Sequence, residues 1–333
     1  MRCAILLLIS CLSVFAAKKT LDVYFIDVEG GQATLFVSPS GQSMLVDTGW
    51  PGMNARDALR IIAAAKKADV KKIDYVVISH HHADHVGGAK QLAERIPVGM
   101  FIDKGPSVET TAQAKELAQM YEEARAKSQH RVVKPGDTIP VKGLDIKVVT
   151  ADGQMIAAPA NAPQTPSCAG VQKDKEDLSD NARSLGVIVQ YGKFKLADLG
   201  DLTWNKELEL VCPANRLGTV DVYLTTHHGL AASNTPPIVT ALKPRVAIMN
   251  NGARKGGMPA AWKIIKASPG LEDIWQIHFS VAGGTETNAP DTFIANLEEQ
   301  NDQGHYIHLA ANQDGSFTVT NSRNKYTKTY PAK

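Results

Sequence analysis

The chain has 333 residues, within reach of a single two-layered α/β domain, and its 44% hydrophobic and 21% charged content is that of a globular protein with a sizeable core, not of a disordered one. Its 36 basic and 34 acidic residues leave a net charge of +2. Nothing in that balance resembles the basic excess of a stable nucleic-acid partner, while a nucleic acid as a transient substrate stays open.

At the start, Arg2 precedes an apolar run over residues 4–15, the length of a signal-peptide core and too short for a spanning helix. Val14-Phe15-Ala16 then offers small residues where a signal peptidase reads. The expectation is a signal peptide over residues 1–16, a single domain over 17–333, and a secreted or periplasmic protein; an uncleaved anchor or a buried strand is the other reading. Leu8-Ile9-Ser10-Cys11 also fits a lipobox, but the apolar run continues past Cys11, which favours cleavage over lipid anchoring there. No later stretch has the length and apolarity of a membrane span, so none is expected in the mature chain.

Residues 21–27, 33–37 and 43–47 are β-prone, separated by the turn signals Gly30-Gly31 and Pro39-Ser40-Gly41. Residues 55–68 place Ala55, Leu59, Ile62 and Ala63 at helical spacing. Residues 73–79 read as a buried strand and 86–96 as the helix after it. A strand follows over 98–102, a long helix over 110–128 and a strand over 144–150. Residues 151–180 are rich in Pro, Ala, Gly, Asn and Ser, a long loop that reads equally as a binding loop or a merely mobile one. Residues 184–191 and 194–197 form a hairpin across Gly192-Lys193. Strands are expected over 220–225, 245–249 and 274–279, helices over 262–267 and 290–299, and a closing hairpin over 306–310 and 316–320 across Asp314-Gly315. The pattern has no repeat and no linker. It implies two mixed sheets with helices on their outer faces.

Of four cysteines, Cys3 and Cys11 lie in the leader. Cys168 and Cys212 remain, either as one disulfide in an oxidising compartment or as two thiols.

The sharpest signal is Ser79-His80-His81-His82-Ala83-Asp84-His85-Val86-Gly87-Gly88, directly after a predicted buried strand. Imidazoles and carboxylates are the ligands that divalent zinc, manganese or iron accept. A strand end and a tight turn direct His80 and His82 to one ion and Asp84 and His85 to a second. Gly87-Gly88 allows the backbone to bend before the next helix.

His80-x-His82-x-Asp84-His85 resembles the signature of the metallo-β-lactamase superfamily. Within that superfamily, Phe25-Ile26-Asp27-Val28-Glu29-Gly30-Gly31-Gln32-Ala33 and Leu45-Val46-Asp47-Thr48-Gly49 are similar to the opening of the soluble hydrolase domain of ComEC-type DNA-uptake proteins. So are Asn181 with Ser184-Leu185, the run Asp198-Leu199-Gly200-Asp201, and Thr226-His227-His228-Gly229. The resemblance implies an αββα sandwich and one or two zinc ions, with manganese or iron as substitutes. His80 and His82 would hold the first ion and Asp84 and His85 the second. Asp201 would bridge them, one of His227 and His228 would complete the second site, and Asp47 would orient a ligand by hydrogen bonding. Asp84, Asp201 and His228 are the candidates for catalytic work.

In one respect the chain departs from the pattern. Many members place a further histidine on the first metal, and the only histidine between His85 and Asp201 is His130, in a connection that does not match. The expected region reads Val149-Thr150-Ala151-Asp152-Gly153, so Asp152 or water completes the first site, or it stays empty. A metal ion lowers the pKa of a water and polarises a carbonyl or phosphoryl oxygen, so the resemblance implies a metal-dependent hydrolase, and the leader implies that it is exported. A phosphodiester substrate is favoured. An ester, lactone or β-lactam is the alternative, and a metal-containing binding protein without turnover a third reading. Asn250, Asn251, Arg254 and Lys255 follow a predicted strand end, where Arg254 or Lys255 would hold a substrate phosphate or carboxylate, or form a solvated basic loop. His278 reads as structural.

Overall fold

The computed structural model describes residues 20–171, 175–300 and 303–333. The expected signal peptide lies outside the described residues, and among them no helix is long and apolar enough to cross a membrane.

The chain opens as a meander, β1 (Leu21–Phe25), β2 (Thr34–Val37) and β3 (Ser43–Val46). Helix α1 (Arg56–Lys67) follows, with Asp57 in its first turn and Lys66 and Lys67 in its last, each charge opposing the nearer pole of the helix dipole. Strand β4 (Ile73–Val77) leads into two short helices, α2 (Ala83–Val86) and α3 (Ala89–Ala93), in place of the one expected over 86–96. The break falls at the glycines. A Cβ on Gly87 would stand 2.3 Å from the Pro51 side chain, and one on Gly88 2.1 Å from the Thr48 carbonyl. The pair therefore serves close packing of the motif against the loop after β3. Strand β5 (Val98–Asp103), helix α4 (Ala112–Arg125) and strand β6 (Gln129–Val132) complete this half, so His130 lies in a strand and not in a connection.

The second half begins with β7 (Asp145–Ala151) and β8 (Gln154–Met155), then β9 (Gly186–Tyr191) and β10 (Phe194–Asp198) as the expected hairpin. Helix α5 (Trp204–Val211), strand β11 (Val222–Leu224), helix α6 (Pro236–Leu242), strand β12 (Val246–Met249), helix α7 (Pro259–Lys266) and strand β13 (Asp273–His278) alternate. The helix expected over 290–299 does not form. Asp291–Phe293 makes a single 3-10 turn, and β14 (Ile294–Asn296) pairs in parallel with β13. An open sheet edge outweighed local propensity there. The chain returns through β15 (Ile307–Ala311), β16 (Phe317–Asn321) and β17 (Thr327–Tyr330).

Among the described residues one sheet runs β17-β16-β15-β1-β2-β3-β4-β5-β6 and the other β14-β13-β12-β11-β10-β9-β7-β8. Both are mixed, parallel over β3 to β6 and over β10 to β14. Alternation along each strand sorts side chains into layers. Val46, Val77 and Ile102 face Val187, Leu196 and Ile248 in the layer between the sheets. Leu45, Val76 and Phe101 face outward onto Ile61, Leu92 and Leu117 of the first half's helices. Ala197, Tyr223 and Ala247 face outward onto Leu210, Ile238 and Ile265 of the second half's. Each fully buried Phe or Leu contributes about 1.5–3 kcal/mol. The result is the expected αββα sandwich. The loops after β3, β4, β10, β11 and β12 all leave the carboxyl ends of parallel strands, where α/β sheets place their sites.

Candidate metal centre

His80 to His85 leave the end of β4, Asp201 follows β10, and His227 and His228 follow β11. The turn after β11 and the one after β3 use left-handed backbone at residues other than glycine: His227 and His228 have φ 55 and 56, and Asp47 has φ 61. Such conformations are costly for side-chain-bearing residues and persist where surrounding contacts determine them. Here Asp47 accepts from the Ser79 amide at 2.7 Å and the Ser79 hydroxyl at 2.6 Å. Asn234 donates to the Thr226 carbonyl at 2.9 Å.

Asp84, His85, Asp201 and His228 present ligand atoms that all lie within 4.8 Å of one another, every one of them buried. His85 Nε2 is 3.2 Å from Asp84 Oδ2, from Asp201 Oδ2 and from His228 Nε2. His228 Nε2 is likewise 3.2 Å from Asp84 Oδ2 and Asp201 Oδ2. A tetrahedron with zinc–ligand bonds of about 2.0–2.1 Å has edges of roughly 3.3 Å, so the donor set fits a small divalent ion. Asp201 Oδ1 and His80 Nε2 are buried with no hydrogen-bond partner, the condition of groups arranged around something other than protein.

Burial alone would raise the two carboxyls. For Asp84, His85, His228 and Lys255 outweigh it and hold the group well below the usual carboxylate range. For Asp201, His228, His85 and His227 do the same. Burial opposes charge on His85, but Asp201, Asp84 and Asp47 raise it well above the ordinary imidazole value. His80, buried and beside His85, is held well below it.

Of the two adjacent histidines, it is His228 that joins the four-donor cluster. His227 stands to one side, with Nε2 3.5 Å from Asp201 Oδ2 and Nδ1 3.3 Å from the Ser233 hydroxyl. His80 Nε2 lies 4.0 Å from Asp201 Oδ2, and the His80 and His82 rings are 4.6 Å apart. His82 Nε2 faces Glu109 at 3.6 Å. Asp201 thus stands between the four-donor cluster and the His80 side. Asp152 is not brought there: it is largely exposed and pairs with Arg183 at 2.8 Å. Nor is His130, which binds Asp103 at 2.7 Å. Asp47 Oδ2 lies 2.7 Å from His85 Nδ1. Lys255 reaches Asp84 Oδ2, whereas its neighbour Arg254 is 72% exposed at the side chain and pairs with Glu299. His278 is buried on Asp27 at 2.8 Å.

Several further residues support the site, and of these Gln32, Ser184 and Asp198 lie in the runs that carry the resemblance, whereas Asp180 and Lys104 do not. Asp180 accepts from the His81 amide at 2.8 Å and pairs with the buried Lys104 at 2.9 Å, fastening the end of the long loop to the histidine motif. Burial would raise the Asp180 carboxyl, but His81 and Lys104 lower it well below its ordinary value. Gln32 donates to both Asp198 oxygens at 2.9 Å, and its amide donates to the Asp84 carbonyl at 3.1 Å. The Ser184 hydroxyl accepts from the Asp201 amide at 3.2 Å. The signal for Gln32 was its place beside Gly30-Gly31. For Asp180 and Lys104 there was none, because the contact spans the long loop. Cys168 and Cys212 form a disulfide, Cα to Cα 5.8 Å.

Residues 26–171 match the family model of the metallo-beta-lactamase superfamily. Over 258 residues the chain is 24% identical to recombination protein 2 of Haemophilus influenzae, covering 76% of this chain and 27% of that protein. Over 199 residues it is 27% identical to a UPF0173 metal-dependent hydrolase of Anaeromyxobacter, covering 59% of this chain and 61% of that protein. The match thus spans about a quarter of the first relative and under two thirds of the second. Among solved structures, the metallo-beta-lactamase fold protein YhfI from Bacillus subtilis aligns with a TM-score of 0.47 at 13% identity, covering 77% of this chain and 96% of that one. The segment matched to the metallo-beta-lactamase superfamily, under half of the chain, contains the whole His80–His85 motif, and the fold brings Asp201 and His228 to it from beyond that segment.

Proposed function

We propose that this metal-dependent hydrolase is exported and cleaves phosphodiesters. The observation that carries the reading is the buried cluster of Asp84, His85, Asp201 and His228, with five of its donor separations at 3.2 Å. These four residues would hold one ion, zinc by the donor chemistry. Asp201 with His80 and His82 would hold a second. When bound, the ion supplies Lewis acidity, lowering the pKa of a water and polarising the scissile ester.

The chain's own residues do the rest. Asp47 fixes the His85 ring from behind. With a single ion bound, Asp201 Oδ1, which has no hydrogen-bond partner, would be free to take the nucleophile's proton. A cleft of about 350 Å³ lined by Trp50, His82, Asp84 and Glu109 receives the substrate. Support for a phosphodiester comes from the likeness to recombination protein 2, a protein whose name places it in nucleic-acid chemistry. Support for export comes from the apolar leader in the sequence and from the Cys168–Cys212 disulfide, at home in an oxidising compartment. We take residues 17–333 as a single hydrolase domain.

The test is hydrolysis of bis(p-nitrophenyl) phosphate by the zinc- or manganese-loaded protein beside its Asp84→Ala and His82→Ala variants. Turnover abolished by chelator and by Asp84→Ala is expected. Turnover of p-nitrophenyl carboxylic esters with none of the phosphodiester would replace the substrate assignment. Full metal content with no hydrolysis of either would replace the enzyme by a metal-containing binding protein.

A further inference from the structure

Lys255 occupies a place that the metal centre does not account for. Its ammonium sits on Asp84 Oδ2, the same oxygen that lies 3.2 Å from His85 and His228, and 4.8 Å above the Trp50 ring. The Lys255 side chain is 31% exposed, so it stands at the mouth of the site rather than in the core. Trp50 reaches the same mouth from the other half of the fold, on the turn after β3, where its amide donates to the buried Asp57 at 2.8 Å.

The backbone that carries Lys255 is fixed. The Lys255 carbonyl accepts from the Gly252 amide at 2.8 Å. Gly30, at φ 76, packs so close that a Cβ there would stand 2.8 Å from the Lys255 Cβ. A Cβ on Gly31 would stand 2.4 Å from the Asp84 carbonyl. The Gly30-Gly31 pair is therefore a spacer that seats one loop against both Asp84 and Lys255. A side chain at either position would push the two apart.

One carboxylate oxygen cannot serve an ammonium and a divalent cation at full strength, because the two like charges repel at contact distance. A divalent ion among Asp84, His85, Asp201 and His228 would displace the ammonium outward. The Trp50 face, a favourable surface for a cation, lies next to it. The ammonium would then stand near the ion with its donors free for an anion, as a point charge holds a phosphate.

We propose that Lys255 is the anion-binding residue of the site. It is held by Asp84 when the ion is absent, released to the Trp50 face when the ion binds, and then engages the charged group of an anionic ester. This rests on the reading of the site as a metal-dependent hydrolase and narrows the substrate class to esters that carry a negative charge at or beside the scissile bond.

The experiment is calorimetric titration of the chelator-stripped full chain with zinc, then of the zinc-loaded protein with inorganic phosphate, for wild type, K255M and K255R. Removing the competing cation should tighten zinc binding in K255M by about threefold or more, while phosphate binding weakens about tenfold or more. K255R, which keeps the charge, should retain phosphate binding within roughly threefold of wild type. Either affinity unchanged in K255M overturns the proposal, as does loss of phosphate binding in K255R equal to that in K255M. If both shifts are seen but wild type hydrolyses neither phosphodiester nor carboxylic ester, the hydrolase reading fails and the assignment of Lys255 stands.

Discussion

Asp47 Oδ2 lies 2.7 Å from His85 Nδ1, and the far edge of the same imidazole, Nε2, lies 3.2 Å from both Asp84 and Asp201. Asp47 and His85 are wholly buried. The carboxylate therefore selects the tautomer with the proton on Nδ1 and aims the Nε2 lone pair into the cluster, while Ser79 holds the carboxylate itself. Asp47→Asn keeps the size and one acceptor oxygen but loses the charge. It should weaken zinc affinity about 10–100-fold with little loss of secondary structure. Competition with a chromophoric chelator measures this, and an affinity equal to wild type would remove Asp47 from the site.

The turn at residues 226–229 separates two histidines that sequence alone could not rank. His228 Nε2 meets both carboxylates at 3.2 Å, while His227 meets only Asp201, at 3.5 Å, with its other nitrogen on Ser233. His228→Ala should lower zinc affinity by at least about tenfold, and His227→Ala should leave it within roughly threefold. Metal content after dialysis against a fixed free-zinc buffer separates the two. Equal losses in both variants would contradict the assignment.

The histidine motif was legible because its ligands are adjacent in sequence and follow a strand, so that spacing alone carries the chemistry. Asp47 and Asp201 were legible only through the resemblance of the runs that contain them, since a carboxylate at a strand end is by itself an ordinary turn residue. The parts that escaped are tertiary. Asp180 meets His81 across 99 residues, and Gln32 meets Asp198 across 166, so no local pattern announces either. Lys255 read as one of two cations in a basic loop, and only the folded structure shows that it reaches Asp84 while Arg254 turns out to Glu299. Helix α6 was missed despite a signal: Thr235 caps it and Pro236 opens it, a pairing that the short apolar run behind it obscured. The helix expected over 290–299 failed for the opposite reason, since Ile294 and Asn296 found β13 as a partner.

Glu207 of α5 is fully buried and accepts from the Asn234 amide at 2.7 Å and the Thr235 amide at 2.8 Å, bracing the segment that supports the His228 turn. Burial pushes its carboxyl from 4.5 up to about 7, against those hydrogen bonds. The neutral form is thus the one the folded state prefers. The stability this preference contributes is complete below the unfolded value and is lost as pH rises through about 7. Glu207→Gln is neutral at every pH, so its melting temperature should gain on wild type as pH rises from about 4.5 to about 7, and hold that gain above. A difference that stays constant across that range would show that the carboxylate is accommodated without cost.

The Cys168–Cys212 disulfide ties the long loop to the end of α5 across 44 residues of sequence. The same loop ends at Asp180 and Asn181, which touch His81 and His227. Closing a loop of that size stabilises the fold by about 2–4 kcal/mol, chiefly by restricting the unfolded chain. The paired replacement Cys168→Ser with Cys212→Ser should therefore lower the melting temperature by several degrees, roughly 2–4 °C for each kcal/mol in a chain of this size. The metal centre should suffer less than the loop, because Asp180 holds the motif through Lys104 and the His81 amide independently of the sulfurs. Hydrogen exchange should rise over residues 156–171 while zinc affinity stays within about threefold of wild type. A zinc affinity that falls in step with the melting temperature would place the disulfide, not Asp180, as the fastening of loop to centre.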